Sequence, residues 1–299
     1  QGALCIAIGG EQDNVVGAFD VEERVVGGNG GQARRGLASL RVKAPHILEA
    51  FALGIGFLPL FLHGFLDLGQ ADGHVLIEGE TGTGKTLVAH ALHAVGARAN
   101  RKFVLIACSA FDEESLGRRL FGPAREEDPI PAIEEARGGT LVLEDIEALS
   151  PAMQARLLTA INDQGQPAET RIVAICNLQE QDKTCESVLR PDLFYRLAAL
   201  RITVPPLRQR GEDVLSLFTT LADQFAEEYG CDAPQVSAQE AAQLLQAPWP
   251  GNIRQLINVA ERAVLQNRRG TGTIASLLMS EGDDTARPAM TTEGKPLKE

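Results

Sequence analysis

A glycine-rich segment that ends in lysine and threonine is the clearest candidate for chemistry in this chain. Residues 79–86 are Gly-Glu-Thr-Gly-Thr-Gly-Lys-Thr, which fits the pattern GxxxxGK[ST] between a predicted strand and a predicted helix. In this pattern backbone N–H groups surround a phosphate, Lys85 reaches the β and γ oxygens, and the Thr86 hydroxyl binds Mg²⁺. The segment predicts a site for ATP and Mg²⁺, with nucleotide contacts from Gly79, Glu80, Thr81, Gly82, Thr83, Gly84, Lys85, Thr86 and Leu87.

Two acidic residues follow a second apolar strand. Residues 141–143 are Leu-Val-Leu, and Glu144 and Asp145 come directly after them. A P-loop ATPase needs one carboxylate in the Mg²⁺ shell and another to polarise the attacking water. We therefore predict that Glu144 and Asp145 are catalytic and that Thr86 and Glu144 bind the metal.

These residues require a sheet that brings strand ends together, and the hydrophobic pattern predicts one. Short apolar runs alternate with helical patterns, which is typical of a parallel α/β sheet. The predicted strands are residues 74–78, 103–107, 140–144, 171–176 and 200–204. One further helix is predicted to begin at Ser150-Pro151 and to end near Asp163.

After Pro205 and Pro206 only helical patterns follow, so we predict a small all-helical unit. Its helices are expected over 213–229, ended by Gly230, then over 237–246 and 252–267. Ser237 and Glu240 form a capping box, and Asn252 is a candidate N-cap residue.

Composition excludes several classes of protein. The 299 residues carry 28 Lys and Arg against 40 Asp and Glu, giving a net charge of −12. An acidic chain argues against broad, non-specific binding to nucleic acid. The five cysteines include no CxxC pair, so neither a disulfide framework nor a zinc ribbon is indicated, and a reducing cytoplasm fits best.

The ends of the chain have little hydrophobic pattern. Residues 1–45 are rich in glycine and 279–299 lack apolar periodicity, so both are predicted to be linkers. The uncharged stretch 50–66 is too short to span a membrane and is predicted to be buried. No secretory signal is visible, and the initial Gln1 suggests a fragment or a processed chain.

Several ordered blocks together resemble the AAA+ domain of sigma-54-dependent bacterial transcriptional activators of the response-regulator type. Besides the P-loop, the resemblance rests on residues 120–122, 138–140, 192–197, 205–210 and 249–256. It implies an α/β nucleotide-binding domain over 46–205, a helical lid domain over 206–278, and a linker over 279–299 toward a DNA-binding domain absent from this chain.

The resemblance also assigns roles to residues that would be unremarkable alone. Asn177 stands where the family places a sensor of the γ-phosphate, and Arg254 matches the nucleotide sensor of the lid. Arg190 and Arg196 match the arginines that reach a neighbouring subunit's nucleotide, where they stabilise developing charge. Because these arginines act between subunits, the resemblance implies a ring, usually a hexamer or heptamer.

Three departures separate this chain from the family pattern. Residues 123–137 contain no GAFTGA loop, which argues against remodelling of the sigma-54 RNA polymerase holoenzyme. The order Glu144-Asp145 is reversed, so the second carboxylate is shorter by one methylene, about 1.5 Å. Ala107 replaces an asparagine that restrains the catalytic glutamate in the family.

Three hypotheses for function remain open at this point. The chain is an ATP-binding module of a transcriptional regulator with weak or altered hydrolysis, a fully active ATPase that remodels the sigma-54 holoenzyme, or a nucleotide-gated oligomerisation module without hydrolysis. An unrelated AAA+ unfoldase or helicase loader would need a pore motif or a nucleic-acid patch, and neither is visible.

Overall fold

The computed structural model describes residues 71–122, 130–163, 170–177 and 184–270, together with 274 and 277. All of them lie within one compact unit that runs from residue 47 to 299. The predicted linkers over 1–45 and 279–299, the predicted buried stretch 50–66 and the connection 123–129 lie outside the described residues. The descriptions below concern the described residues alone.

A five-stranded parallel sheet forms the centre of the α/β part, which confirms the predicted fold class. In order across the sheet the strands are residues 103–107, 140–144, 171–177, 75–79 and 200–203, and every pairing between neighbours is parallel. The central strands are continuous apolar runs because helices cover both faces of a parallel sheet. The strands are β1 (Val75–Gly79), β2 (Phe103–Ala107), β3 (Thr140–Glu144), β4 (Arg171–Asn177) and β5 (Leu200–Thr203).

Helices connect the strands and pack on both faces of the sheet, so the apolar core forms one cluster on each face. The Ser150 side chain accepts a hydrogen bond from the backbone N–H of Met153, which confirms the predicted helix start. The helices of this part are α1 (Lys85–Val95), α2 (Glu113–Phe121), α3 (Ala132–Glu135), α4 (Pro151–Asn162), α5 (Cys185–Val188) and α6 (Pro191–Leu197).

The strand order brings three carboxyl ends together. Strand β1 lies between β4 and β5, and Gly79 at its end is in register with Asn177 at the end of β4. Strand β3 pairs with the other side of β4 and ends at Glu144. Ligands of open α/β sheets bind beyond the carboxyl ends of the strands, where the strand order reverses.

The helical unit packs around its own apolar cluster, and its elements confirm the predicted helices. It contains α7 (Asp213–Tyr229), α8 (Ala238–Gln246) and α9 (Asn252–Arg269). Gly230 ends α7 at a φ of 61°, and Ser237 and Glu240 form the predicted capping box. Trp249, which is 1% exposed, anchors the cluster and donates its indole N–H to the carbonyl of Leu244 at 2.9 Å.

The cysteines differ from the expectation drawn from their spacing. Cys176, at the end of β4, is joined by a disulfide to Cys185, the first residue of α5. The absence of a CxxC pair was a poor guide because the fold brings together two cysteines that are nine residues apart in sequence. Cys108 and Cys231 are free thiols.

None of the described helices combines the length and the apolar character required to cross a bilayer.

Candidate functional site at the carboxyl edge of the sheet

The turn between β1 and α1 has the backbone shape that its glycines permit. Gly82 and Gly84 have positive φ values of 79° and 93°, which side-chain-bearing residues rarely adopt. A Cβ at Gly82 would lie 2.4 Å from the carbonyl oxygen of Gly251. Gly84 is the N-cap of α1 and gives it no side-chain cap, so the first N–H groups of this 11-residue helix are suited to an anionic ligand.

Lys85 lies inside this turn and is almost completely buried. Its ammonium group donates to the carbonyl oxygens of Gly79 at 2.9 Å and Glu80 at 2.7 Å. Burial lowers the pKa of Lys85 to about 8, and the negative charges of Glu147, Asp145 and Glu144, in that order of strength, oppose this change. Three acidic side chains therefore lie within electrostatic range of the lysine.

Thr81, Thr83 and Leu87, the other side chains predicted at the nucleotide, differ in burial and in their contacts. Thr83 is buried and its hydroxyl donates to the carbonyl of Glu80 at 2.8 Å. Thr81 lies exposed at the tip of the turn. The side chain of Leu87 packs against the apolar cluster on one face of the sheet, so a ligand in the turn would meet its backbone.

Thr86 and Glu144 are brought together as the sequence predicts. The Thr86 hydroxyl donates a hydrogen bond to the Glu144 carboxylate. Burial raises the pKa of Glu144, while the hydrogen bond from Thr86 opposes that rise. The described residues contain no group of three or more His, Cys, Asp and Glu with the geometry of a protein metal cage. Two oxygen ligands nevertheless suit Mg²⁺, which keeps waters and takes phosphate oxygens as its remaining ligands.

Asp145 is held from two sides. It has a positive φ of 54°, and its carboxylate accepts hydrogen bonds from the Ser109 hydroxyl and from the side-chain amide of Asn177. The backbone N–H of Asn177 donates to Glu147 at 3.2 Å. Asn177 thus contacts two acidic side chains, and the carboxyl ends of β3 and β4 form one connected group.

Ser109 and Glu147 did not emerge from the sequence analysis. Ser109 lies in a short 3-10 turn after β2, two residues beyond Ala107, and bonds the carboxylate that Ala107 cannot reach. Glu147 lies in the 3-10 turn Ile146–Ala148 after β3. Its closeness in sequence to Glu144 and Asp145 was the one available signal, and an acidic residue in a turn is normally solvated.

The helical unit contacts the P-loop through Asn252, which is wholly buried. Gly251 is the N-cap of α9, so the prediction of Asn252 as N-cap is wrong. The Asn252 amide donates to the carbonyl of Thr81 at 3.0 Å and to Glu80 at 3.2 Å, and its oxygen accepts from the N–H of Leu207 at 2.8 Å. These long-range partners replace the local bond that an N-cap side chain would make.

An ion pair reinforces the same junction. Arg208 donates two hydrogen bonds to the Glu80 carboxylate, at 2.8 and 2.5 Å. The bonds from Arg208 lower the pKa of Glu80, and Asn252 contributes in the same direction. Arg208 and Asn252 therefore both bind the side chain of Glu80 in the P-loop.

Arg254 approaches the P-loop from α9. A Cβ at Gly82 would lie 3.3 Å from the Cβ of Arg254. The positive charge of Arg254 lowers the pKa of Lys85 and of Glu144, which places its guanidinium within electrostatic range of both.

Arg196 lies on the exposed surface of α6, and Arg190, also exposed, is the residue before that helix. Arg190 forms an ion pair with Asp192, with 2.7 Å between the guanidinium and the carboxylate. Within the described part of the chain, neither arginine has a hydrogen bond to the P-loop. The structure thus brings the predicted P-loop, carboxylate, Asn177 and Arg254 positions together and separates the two arginines from them.

Comparison with known families matches both parts of this architecture. The model of the sigma-54 interaction domain matches residues 63–203, and the model of the AAA+ ATPase lid domain matches residues 208–290.

Similar proteins are transcriptional regulators. The C4-dicarboxylate transport transcriptional regulatory protein DctD of Rhizobium meliloti (strain 1021) is 34% identical over 230 residues, covering 72% of this chain and 50% of the relative. The alginate biosynthesis transcriptional regulatory protein AlgB of Pseudomonas putida is 38% identical over 207 residues, covering 64% of this chain and 46% of that protein. The chain spans about half the length of the curated relatives it matches.

Among solved structures, NtrX from Brucella abortus in complex with ATP is similar at a TM-score of 0.66 and 31% identity, covering 77% of this chain and 56% of that one. The complex of the same protein with ADP has the same TM-score, 0.66, at 30% identity, covering 73% of this chain and 52% of that one. On the matches to both of its parts, the chain belongs to the family of sigma-54 interaction domains followed by an AAA+ ATPase lid domain.

Proposed function

We propose that this chain binds ATP with Mg²⁺ at its P-loop and hydrolyses it slowly, as the ATP-dependent module of a transcriptional regulator. The observation that carries the proposal is the geometry of the P-loop, in which the buried Lys85 ammonium binds the carbonyls of Gly79 and Glu80 and the neighbouring Thr86 hydroxyl binds the Glu144 carboxylate. The ATP complex of NtrX, which is 31% identical to this chain over the matched part, supports the choice of nucleotide.

Each part of the edge has a task in this proposal. The N–H groups at the start of α1 and the Lys85 ammonium bind the β- and γ-phosphates. Thr86 and Glu144 hold the Mg²⁺ ion. When bound, Mg²⁺ neutralises charge that develops on the phosphate oxygens. Lys85 would exchange its bonds to the carbonyls of Gly79 and Glu80 for bonds to the phosphate oxygens.

Asp145 and Asn177 orient the attacking water. Slow hydrolysis follows from their contacts, because the short Asp145 carboxylate is already bonded by Ser109 and by the Asn177 amide. A misplaced water reacts far more slowly than one held at the right distance. Arg254, beside Gly82, reports the state of the nucleotide to the lid through α9.

Arg190 and Arg196 are proposed to complete the site of a neighbouring copy. Both are exposed and lie apart from the P-loop of their own chain. A ring of six or seven copies would place them at an adjacent nucleotide, where a guanidinium stabilises charge in the transition state. The family to which the chain belongs favours action on sigma-54 and RNA polymerase, whereas the missing GAFTGA loop in residues 123–137 argues against it.

The proposal is tested by steady-state ATP hydrolysis over a series of protein concentrations. Turnover per subunit should rise with concentration because each site needs a neighbour. Arg196→Ala should leave ATP affinity within about threefold of the parent and lower kcat by at least about a hundredfold. Arg268→Ala, on the exposed end of α9, is the matched control and should change neither quantity. Turnover that does not depend on concentration would contradict an arginine supplied by a second copy.

A second function is favoured by the restraint on Asp145. If its bonds to Ser109 and Asn177 persist with ATP bound, the chain is a nucleotide-gated assembly module without hydrolysis. ATP binding that drives assembly without turnover above the Lys85→Ala background would select this function.

A further inference from the structure

Asp145 occupies the position where the attacking water is polarised, but its carboxylate has other partners. One oxygen accepts the side-chain amide of Asn177 and the other accepts the Ser109 hydroxyl. Because both carboxylate oxygens already accept hydrogen bonds, fewer of their lone pairs are left for a water molecule. The aspartate also reaches less far than a glutamate in the same position. These contacts suit a residue that orients water better than one that removes its proton.

Glu147 lies beside this pair and differs from a surface acid. It is partly buried in the turn after β3, and one of its carboxylate oxygens accepts the backbone N–H of Asn177 at 3.2 Å. Burial raises the pKa of Glu147, while hydrogen bonds from the backbone N–H groups of Glu147 and Asn177 oppose that rise. Among the three acids, Glu147 has the strongest electrostatic influence on Lys85.

This placement brings a longer carboxylate to the side of the site where the γ-phosphate is expected. Asn177 is in register with Gly79, the first residue of the P-loop, so a carboxylate that accepts the Asn177 N–H lies beside the turn that binds the terminal phosphates. Through Asn177, the position of Glu147 is coupled to that of Asp145. Glu147 is thus a candidate for direct contact with the reacting water.

We propose that Glu147 is a catalytic residue that accepts the proton of the attacking water, while Asp145 and Asn177 orient that water. The inference rests on the proposed hydrolysis of ATP. The water oxygen forms a bond to the γ-phosphorus, and the bond from that phosphorus to the bridging oxygen breaks with its electron pair leaving on ADP. The proton passes to the Glu147 carboxylate and then to solvent, so the products are ADP and inorganic phosphate.

Glu147→Gln separates this role from a structural one. The glutamine oxygen can still accept the N–H of Asn177, but the amide cannot take a proton. In the presence of Mg²⁺, this variant should lower kcat by at least about a hundredfold, the usual scale of general base catalysis, and keep ATP affinity within about threefold. Asp145→Asn should cost about tenfold or less in kcat. Glu227→Gln, an exposed position on α7, is the matched control and should have no effect.

A rescue experiment gives a readout that a structural role would not move. In Glu147→Ala, added formate should raise kcat about tenfold by supplying the missing carboxylate, whereas Asp145→Ala should not respond.

Wild-type kcat in Glu147→Gln would overturn the inference, as would a loss in Asp145→Asn equal to or larger than the loss in Glu147→Gln. Both results would leave the proposed hydrolysis intact. A parent chain that binds ATP but shows no turnover at any concentration contradicts the proposed hydrolysis itself, and the inference with it.

Discussion

The helical unit and the carboxyl edge of the sheet are built from opposite kinds of interaction. In the helical unit, Leu244, Trp249 and Leu256 are at most 1% exposed and belong to one apolar cluster. At the sheet edge, by contrast, ionisable side chains are wholly or partly buried. Burial lowers the pKa of Lys85 and raises the pKa values of Glu144 and Glu147. Burial of a charge costs free energy unless a partner offsets it. Apolar packing therefore stabilises the helical unit, whereas holding charged groups in place at the sheet edge costs stability.

The junction between the two regions combines both features. Asn252 begins a helix of the apolar unit, yet its amide binds the P-loop at Thr81 and Glu80. Stability and nucleotide chemistry should therefore respond separately to substitutions on the two sides of this junction.

The largest effect on stability is expected in the helical core. Leu244→Ala removes a fully buried side chain and should lower the free energy of unfolding by about 2–5 kcal/mol. The adjacent Leu245 is 40% exposed, so Leu245→Ala should cost about 0.5 kcal/mol. Urea unfolding of both variants gives the comparison. Equal losses would show that burial in this unit does not determine its stability.

At the junction, Asn252→Gly removes the buried amide without straining the positive φ of 51°. The N–H of Leu207 and the carbonyl of Thr81 lose their partner, at a cost of about 1–3 kcal/mol in unfolding free energy. The variant should also weaken ATP binding because the P-loop loses a support. Asn267→Gly at the exposed end of the same helix removes one solvent-exposed hydrogen bond and is the control. A stability loss no greater than that of Asn267→Gly would argue against a structural role for the buried amide.

A smaller effect is expected from the Arg208–Glu80 ion pair, which is partly exposed, with side-chain exposures of 33% and 28%. Arg208→Gln should cost at most about 1 kcal/mol at pH 7. Because the pair holds the pKa of Glu80 below its ordinary value of 4.5, its contribution is present above that value and is lost as the pH falls through the lower, folded-state pKa. Stability measured from pH 7 down to acid should therefore converge for the parent and the variant. Arg118→Gln, which breaks an exposed ion pair with Glu114 at 3.9 Å, is the control for the loss of an arginine.

The smallest perturbation is chemical labelling of the thiols. Burial raises the pKa of Cys108 to about 12, so alkylation at pH 8 should be slow there and faster at the partly exposed Cys231. Cys176 and Cys185 should react only after reduction. Peptide mapping by mass spectrometry identifies the labelled positions. Rapid labelling of Cys108 would show that the edge opens more readily than its burial implies.

Patterns among residues close together in the sequence predicted the fold and part of the site. The P-loop, the strand ends at Glu144 and Asn177, and the capping box at Ser237 depend on residues close together in the sequence. The remaining contacts join distant residues: Ser109 and Asp145 are 36 positions apart, and Glu80 and Arg208 are 128 apart. Such pairs depend on strand order and on the packing of the helical unit, which a single sequence does not specify. The pairing of Cys176 with Cys185 and the tertiary role of Asn252 were missed for the same reason.

The most direct measurement is an equilibrium titration of ATP, with Mg²⁺, into the parent chain and Lys85→Ala. Loss of the ammonium group that faces the phosphates should weaken binding by at least about a hundredfold, since charged hydrogen bonds contribute most to such sites. Lys102 is an exposed lysine immediately before β2, so Lys102→Ala should bind ATP as the parent does, and all three proteins should show the same helical content. Unchanged ATP affinity in Lys85→Ala would contradict the assignment of the nucleotide to the carboxyl edge of the sheet.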